Sequence, residues 1–279
     1  MSQILVNFNG RFIPREEACL QLNDTALLYG DSLFETLRAE RQRILLQQEH
    51  LDRLCLSAQL LDFPCDRPRI EAALSQMAAA LTAGVSRLRL TLGRGPARGF
   101  SLARGKHNWF ALTAVAAHPL TTQARETGAS CVRAPNSRSN PLDHLPQMKH
   151  GNHADCLYAA DYAARHNARE ALFIDQGLVI EGSSSNIFAR FGEQLYTPPV
   201  GRLVLAGVTR RQLIAAATEY GLLVIEEALP LTRLFEADEI WLSNAMIEIL
   251  PVASIDGEAI RRGNLWQKIH SLYKQRTET

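Results

Sequence analysis

The chain has 279 residues, 46% hydrophobic and 21% charged, with a formal net charge of +1 at pH 7. That length suits two modest domains, and the composition excludes a disordered tail or a fibre. The near-neutral balance gives no global attraction to nucleic acid or to an anionic membrane, so neither is expected as a partner.

No apolar run reaches the roughly 18 residues a membrane span needs. The first residues, Met1 to Pro14, lack the basic start and long apolar core of a secretory signal. Five scattered cysteines (Cys19, Cys55, Cys65, Cys131, Cys156) form no CxxC pair, so free thiols in a reducing cytoplasm are expected. No metal is expected. Lysine is scarce: Lys106, Lys149, Lys268 and Lys274. Lys268 and Lys274 fall in a polar C-terminal helix and Lys106 in a Gly-flanked loop. Only Lys149 stands where apolar segments converge, which makes it the candidate for covalent lysine chemistry.

In chain order, ILVNF and RFIP flank Asn9-Gly10 and predict a hairpin. Residues 27–39 predict a loop leading into a strand. Leucines at helical spacing predict a helix from Glu49 to Leu61, and Arg69 to Leu81 predicts a second. Ser86 to Leu92 alternates as a half-buried strand with Arg87 and Arg89 on one face, and Trp109 to Ala116 predicts another strand. The polar stretch that follows is expected to join domain 1–118 to domain 129–279 through a linker over 119–128. Beyond it the pattern predicts a strand at Ser130–Ala134, a Pro-containing loop over 136–147 and a helix at Ala154–Arg165. A meander follows over Ala171–Ile174, Val179–Glu181 and Asn186–Arg190. Helices are predicted at Val208–Tyr220 and Leu265–Arg276, with strands at Leu222–Ile225 and Glu239–Leu242. Strands in groups with helices between them indicate an α+β fold.

The densest chemistry lies between Glu181 and Arg210. Glu181 closes an apolar strand, which is costly for an acid unless it meets a cation or donors; the alternative is a partly exposed hairpin acid. Gly207-Val208-Thr209 precedes a helix, and that could be an anion site or an ordinary Thr cap. Arg94 and Arg98 stand in a Gly-rich turn, either facing carboxylates or exposed to water.

Together these residues resemble a known family. Glu181, Ser183, Asn186-Ile187-Phe188, Leu195, Thr197 and Leu205-x-Gly207-Val208-x-Arg210 match the signature of class IV aminotransferases, the fold-type IV pyridoxal-phosphate (PLP) enzymes. Tyr29 to Arg38, His50-Leu51-Asp52-Arg53-Leu54, Met148-Lys149-His150 and Ser243-Asn244-Ala245 resemble further elements of that family. The resemblance implies a two-domain α+β homodimer, with the PLP lysine in the C-terminal domain and the active site between the domains.

The roles below are those the resemblance implies. Lys149 carries the cofactor and moves protons on the substrate. Glu181 pairs with the ring nitrogen, and Thr36 joins the catalytic set. Arg53 forks onto the phosphate, helped by Val208 and Thr209 at a helix start and by Asn244 and Ala245. Asn186 also lies at the cofactor, and Leu205 packs on its ring. Phe34, Arg94 and Arg98 face the substrate. Within the family, the stretch Arg94 to Ser101, Thr36 and Ser243-Asn244-Ala245 resemble aminodeoxychorismate lyases. Those enzymes release pyruvate from 4-amino-4-deoxychorismate to give 4-aminobenzoate. Gly151-Asn152 leans toward the aminotransferases acting on D- or branched-chain amino acids, which is the alternative.

Overall fold

The computed structural model describes residues 4–97, 99–102 and 107–278. The chain divides into two compact units. The first is Met1–Pro119 with Met148–His153, and the second is Leu120–Gln147 with Ala154–Thr279.

The first unit contains β1 (Leu5–Phe8), β2 (Arg11–Phe12), α1 (Thr25–Tyr29), β3 (Ser32–Glu40), β4 (Arg43–Ile44), α2 (Gln47–Leu60), α3 (Arg67–Ala80), β5 (Val85–Gly93) and β6 (Trp109–Ala116). The predicted hairpin forms, with Asn9 and Gly10 at φ 52° and 84°, the left-handed pair that a tight two-residue turn requires. The strands make one antiparallel sheet in the order β2-β1-β6-β5-β3-β4. Alternation along β3 sends Leu33, Leu37 and Ala39 into a core shared with Leu51 and Leu54 of α2 and with Ile70 and Leu74 of α3. Asp66 caps α3 by accepting from Arg69 N–H, and Pro68 lies in its first turn. The other side of β3 carries Phe34 and Thr36.

The second unit contains α4 (Thr122–Thr127), β7 (Ala129–Arg133), α5 (Ala154–Arg165), β8 (Glu170–Asp175), β9 (Leu178–Gly182), β10 (Asn186–Phe191), β11 (Gln194–Thr197), α6 (Val208–Tyr220), β12 (Leu223–Glu226), β13 (Leu229–Pro230), α7 (Leu231–Leu234), β14 (Glu239–Asn244), β15 (Glu248–Ile255), β16 (Glu258–Ala259) and α8 (Leu265–Glu278). Nine strands run β12-β11-β10-β14-β15-β7-β8-β9-β13, and β16 pairs with β15 to complete a ten-stranded sheet. Leu213 of α6 and Trp266, Ile269 and Tyr273 of α8 pack on Phe188, Trp241 and Ile249. Ile187, Leu242 and Leu250 point into a separate core. No helix among the described residues is long and apolar enough to cross a membrane.

Two expectations are corrected. The segment 119–128 is not a bare linker. Thr121 caps α4 through Ala124 N–H, and Arg125 is buried. The second correction concerns Lys149, which groups with the first unit rather than the C-terminal one. The reason is backbone pairing: Phe34 N–H donates to Lys149 O at 2.9 Å, Gly151 N–H donates to Ser32 O at 2.6 Å, and Leu33 bridges His150.

Leu74 is fully buried between α3 and the sheet. Leu74→Ala should therefore lower unfolding stability by about 2–5 kcal/mol. Denaturant titration of the full chain checks this, and a change under about 0.5 kcal/mol would contradict the packing.

Candidate active site

In the first unit the lysine segment runs along the edge of β3, so the Lys149 side chain meets a residue of that strand. Its Nζ lies 4.5 Å from the centroid of the Phe34 ring. The Arg89 guanidinium stacks on the same ring at 3.7 Å, and His153 meets it edge-on at 5.4 Å. Thr36 pairs directly with Arg89 across the β3–β5 ladder. Phe34, Thr36, Arg89 and Lys149 therefore share one surface, with Phe34 as its floor. Burial against the ring lowers the Arg89 pKa, and the neighbouring Arg87 charge adds to that shift. Among the described residues Arg89 has no carboxylate partner.

Glu35, on the opposite side of β3, is buried under α2. Arg53 donates to it from Nε at 2.8 Å and from Nη2 at 2.5 Å, and His50 Nδ1 lies 2.7 Å away. Burial alone would push the Glu35 carboxyl up. The Arg53 charge and the His50 and Arg53 hydrogen bonds outweigh it and hold the group at about 2. The fork of Arg53 thus already engages a carboxylate.

Arg94 is placed differently from expectation. It is buried, with Nε on Asp31, Nη1 donating to Asp62 O at 2.5 Å and Nη2 to Leu61 O, and it stacks over Phe63 at 3.7 Å. These bonds pin the end of β5 to the end of α2 and commit the Arg94 guanidinium to protein groups. Arg98 lies outside the described residues.

In the second unit Glu181 is buried at the end of β9. Its Oε1 accepts from Arg138 Nε at 2.9 Å, while Oε2 accepts from Leu205 N–H at 3.0 Å and Asn186 Nδ2 at 3.3 Å. Arg138 is itself buried and donates from Nη1 to Asp155 at 2.6 Å. Burial works against the Arg138 charge, but the Glu181 and Asp155 charges overcome it and raise its pKa. Burial likewise works against the Asp155 charge, and the Ser139 N–H bond and Arg138 together lower its pKa. The turn that follows Glu181 is fixed by Glu170, whose carboxylate accepts from the hydroxyls of Ser183, Ser184 and Ser185.

Two features adjoin Glu181. The first is the start of α6, where no side chain caps the helix and Val208 and Thr209 are buried. A Cβ on Gly207 would sit 2.0 Å from Asn186 Oδ1, so glycine alone lets the helix start approach Asn186 so closely. The second is the β14–β15 turn. Asn186 pairs with Ser243, and Asn244 Nδ2 donates to Ser184 O at 3.1 Å. Asn244 Oδ1 accepts from Met246 and Ile247 N–H, both at 2.9 Å. An acid with an uncapped helix N-terminus and a turn beside it suits a ring nitrogen and a phosphate dianion. The residues present therefore fit PLP.

The chain belongs to the amino-transferase class IV family, whose model matches residues 32–255. This family is PLP-dependent, and so is this chain. It is 33% identical over 278 residues to a putative branched-chain-amino-acid aminotransferase of Methanocaldococcus jannaschii, covering 96% of this chain and 95% of that one. It is 32% identical over 270 residues to a D-alanine aminotransferase of Bacillus licheniformis, covering 92% and 90%. It also resembles the crystal structure of 4-amino-4-deoxychorismate lyase from Pseudomonas aeruginosa, with a TM-score of 0.85 and 25% identity over 99% of this chain and 100% of that one. The two-domain fold-type IV α+β architecture is thereby established.

The sequence did not reveal Arg138, nor the parts played by Glu35, His50 and Arg89. Arg89 had a signal, because R-L-R-L alternation put it on the exposed face. Arg138 had none beyond its place in a loop ahead of the lysine.

Glu35 gives a testable pH dependence. Its folded pKa, about 2, lies below the ordinary 4.5. The stabilisation is therefore complete above pH 4.5 and is lost as pH falls toward 2, to the order of 3 kcal/mol. Denaturant midpoints across that window should fall more in wild type than in Glu35→Gln. Equal slopes would contradict the assignment.

Proposed function

We propose that this PLP enzyme is a lyase that converts 4-amino-4-deoxychorismate to 4-aminobenzoate and pyruvate. The observation that carries this reading is the surface shared by Lys149, Phe34, Thr36 and Arg89. It offers an amine, an aromatic floor, a hydroxyl and a guanidinium to a carboxylated ring. Bound PLP supplies an electron sink for the carbon bearing the substrate's amine. Lys149 carries the cofactor and its amine takes the C4 proton. The enolpyruvyl C–O bond then breaks, the ring becomes aromatic, and the leaving group takes up a proton as pyruvate.

Glu181 faces the ring nitrogen, with its position set by Arg138, Asn186 and Leu205 N–H. Leu205 also packs on the ring. Val208 and Thr209 at the start of α6, and Asn244 and Ala245 in the turn, hold the phosphate; Arg53, whose Nε and Nη2 are on Glu35, contributes its charge rather than the fork first expected. Arg89 takes the place first expected for Arg94 and binds a substrate carboxylate.

The second reading is an aminotransferase of D- or branched-chain amino acids. It is favoured by the 33% and 32% identities to proteins so named. We also propose a homodimer. Leu22, Leu27, Leu28 and Phe100 are more than half exposed, and Tyr29 meets Phe100 edge-on. A second copy would cover that apolar patch. All five cysteines are free, which fits a cytoplasmic location.

Supplying aminodeoxychorismate without any keto acid should yield 4-aminobenzoate and pyruvate at a steady rate over many turnovers. Arg89→Ala should raise KM in that assay roughly tenfold or more, the scale of one lost charge-assisted bond. If nothing forms, and a D- or branched-chain amino acid with 2-oxoglutarate turns over instead, the aminotransferase reading replaces the lyase. An unchanged KM would remove Arg89 from the substrate site.

A further inference from the structure

The β14–β15 turn is held from behind by a buried charge cluster that the proposed chemistry does not use. Glu248 ends the turn, pairing with Asn244 across the ladder. It is 2% exposed and sits at φ 60°, a left-handed conformation that a non-glycine residue keeps only when its surroundings impose it. Three basic side chains from two helices converge on its carboxylate. Arg125 of α4 donates from Nη2 at 2.8 Å, His270 Nε2 of α8 lies at 2.9 Å, and Lys274 Nζ, one helical turn further along α8, lies at 3.3 Å. Arg125 also donates from Nη1 to Ile247 O at 2.6 Å and to Ile249 O. Side chain and backbone on both sides of the strained residue are thus tied to one guanidinium.

The turn has little freedom left. Met246 and Ile247 give their N–H groups to the Asn244 side chain, so the Ala245 N–H is the donor the turn keeps for an anion. We propose that Glu248 is a positioning residue for the cofactor phosphate. It acts through the turn 244–247, which Arg125, His270 and Lys274 lock in its anion-binding shape. The inference rests on the reading that this turn meets the phosphate.

The test compares two probes on the full-length chain freed of cofactor: PLP, and pyridoxal, which lacks the phosphate. Glu248→Gln keeps the size of the side chain and removes its charge. It should weaken PLP binding roughly tenfold or more, the scale seen when groups that orient a binding residue are lost. Pyridoxal affinity should stay within about twofold of wild type. Should Glu248→Gln fail to fold, Lys274→Gln at the half-exposed rim should lower the PLP-to-pyridoxal preference in the same direction, by a smaller factor.

Equal weakening of both probes, or no change in PLP affinity, overturns the proposal. Asn244→Ala separates it from the reading beneath it. If Asn244→Ala lowers the PLP-to-pyridoxal preference and Glu248→Gln does not, the positioning role alone fails. If neither variant moves the preference, the turn does not meet the phosphate and both fail.

Discussion

A carboxylate taken out of water must meet a cation or several donors, or it does not stay charged. Among the described residues five glutamates are buried: Glu35, Glu170, Glu181, Glu239 and Glu248. Each meets that constraint in its own way, and the folding of both units follows from how it is met. Arg53 and His50 fasten α2 to β3 through Glu35. Three serine hydroxyls wrap Glu170 and so shape the turn after β9. Glu239 collects Arg190, the Trp241 indole and the first N–H groups of α8. Arg138 meets Glu181, and Arg125 meets Glu248.

These pairings differ in what they leave over. The Glu170 and Glu239 groups are absorbed by the fold. Glu181 is held from three directions, which fixes its orientation; under the proposed function that fixed carboxylate serves the pyridine nitrogen. An ion pair of this kind contributes little to net stability compared with an apolar replacement, but removing one partner alone is costly. Under the proposed function its value lies in placing a charge at the cofactor ring. The same logic separates Arg89 from Arg94. Two main-chain carbonyls and Asp31 satisfy Arg94, whereas Arg89 rests on the Phe34 face that Lys149 also meets, and under the proposed function its donors serve a substrate carboxylate.

Much of this was legible in the sequence because it is local. The helices Ala154–Arg165 and Val208–Tyr220 and the strand Trp109–Ala116 stand where periodicity put them. The segment from Glu181 to Gly207 is a run in which strand, turn and helix start follow one another, so its spacing could be read directly. What escaped was long-range. The bonds from Arg94 to Leu61 and Asp62 span more than thirty residues, and no local pattern announces such a partner. Lys149 follows the second unit's first strand in the chain, yet backbone pairing ties it to β3 of the first unit, and chain order conceals that. The strand β15 went unassigned in the sequence; it holds Pro251, and proline argues against a central strand. It is accommodated because β15 begins to pair with β7 only at Val252, one residue later, where the register is irregular.

The proposed chemistry depends most on Lys149 being the residue that carries the cofactor. Reduction of the purified, coloured protein with borohydride, followed by proteolysis and peptide mass mapping, tests this directly. The cofactor mass should appear on the peptide containing Lys149, and Lys149→Ala should yield protein with neither the visible absorbance nor the label. A label on Lys106, Lys268 or Lys274, or a borohydride-sensitive band that survives in Lys149→Ala, would contradict the site as assigned.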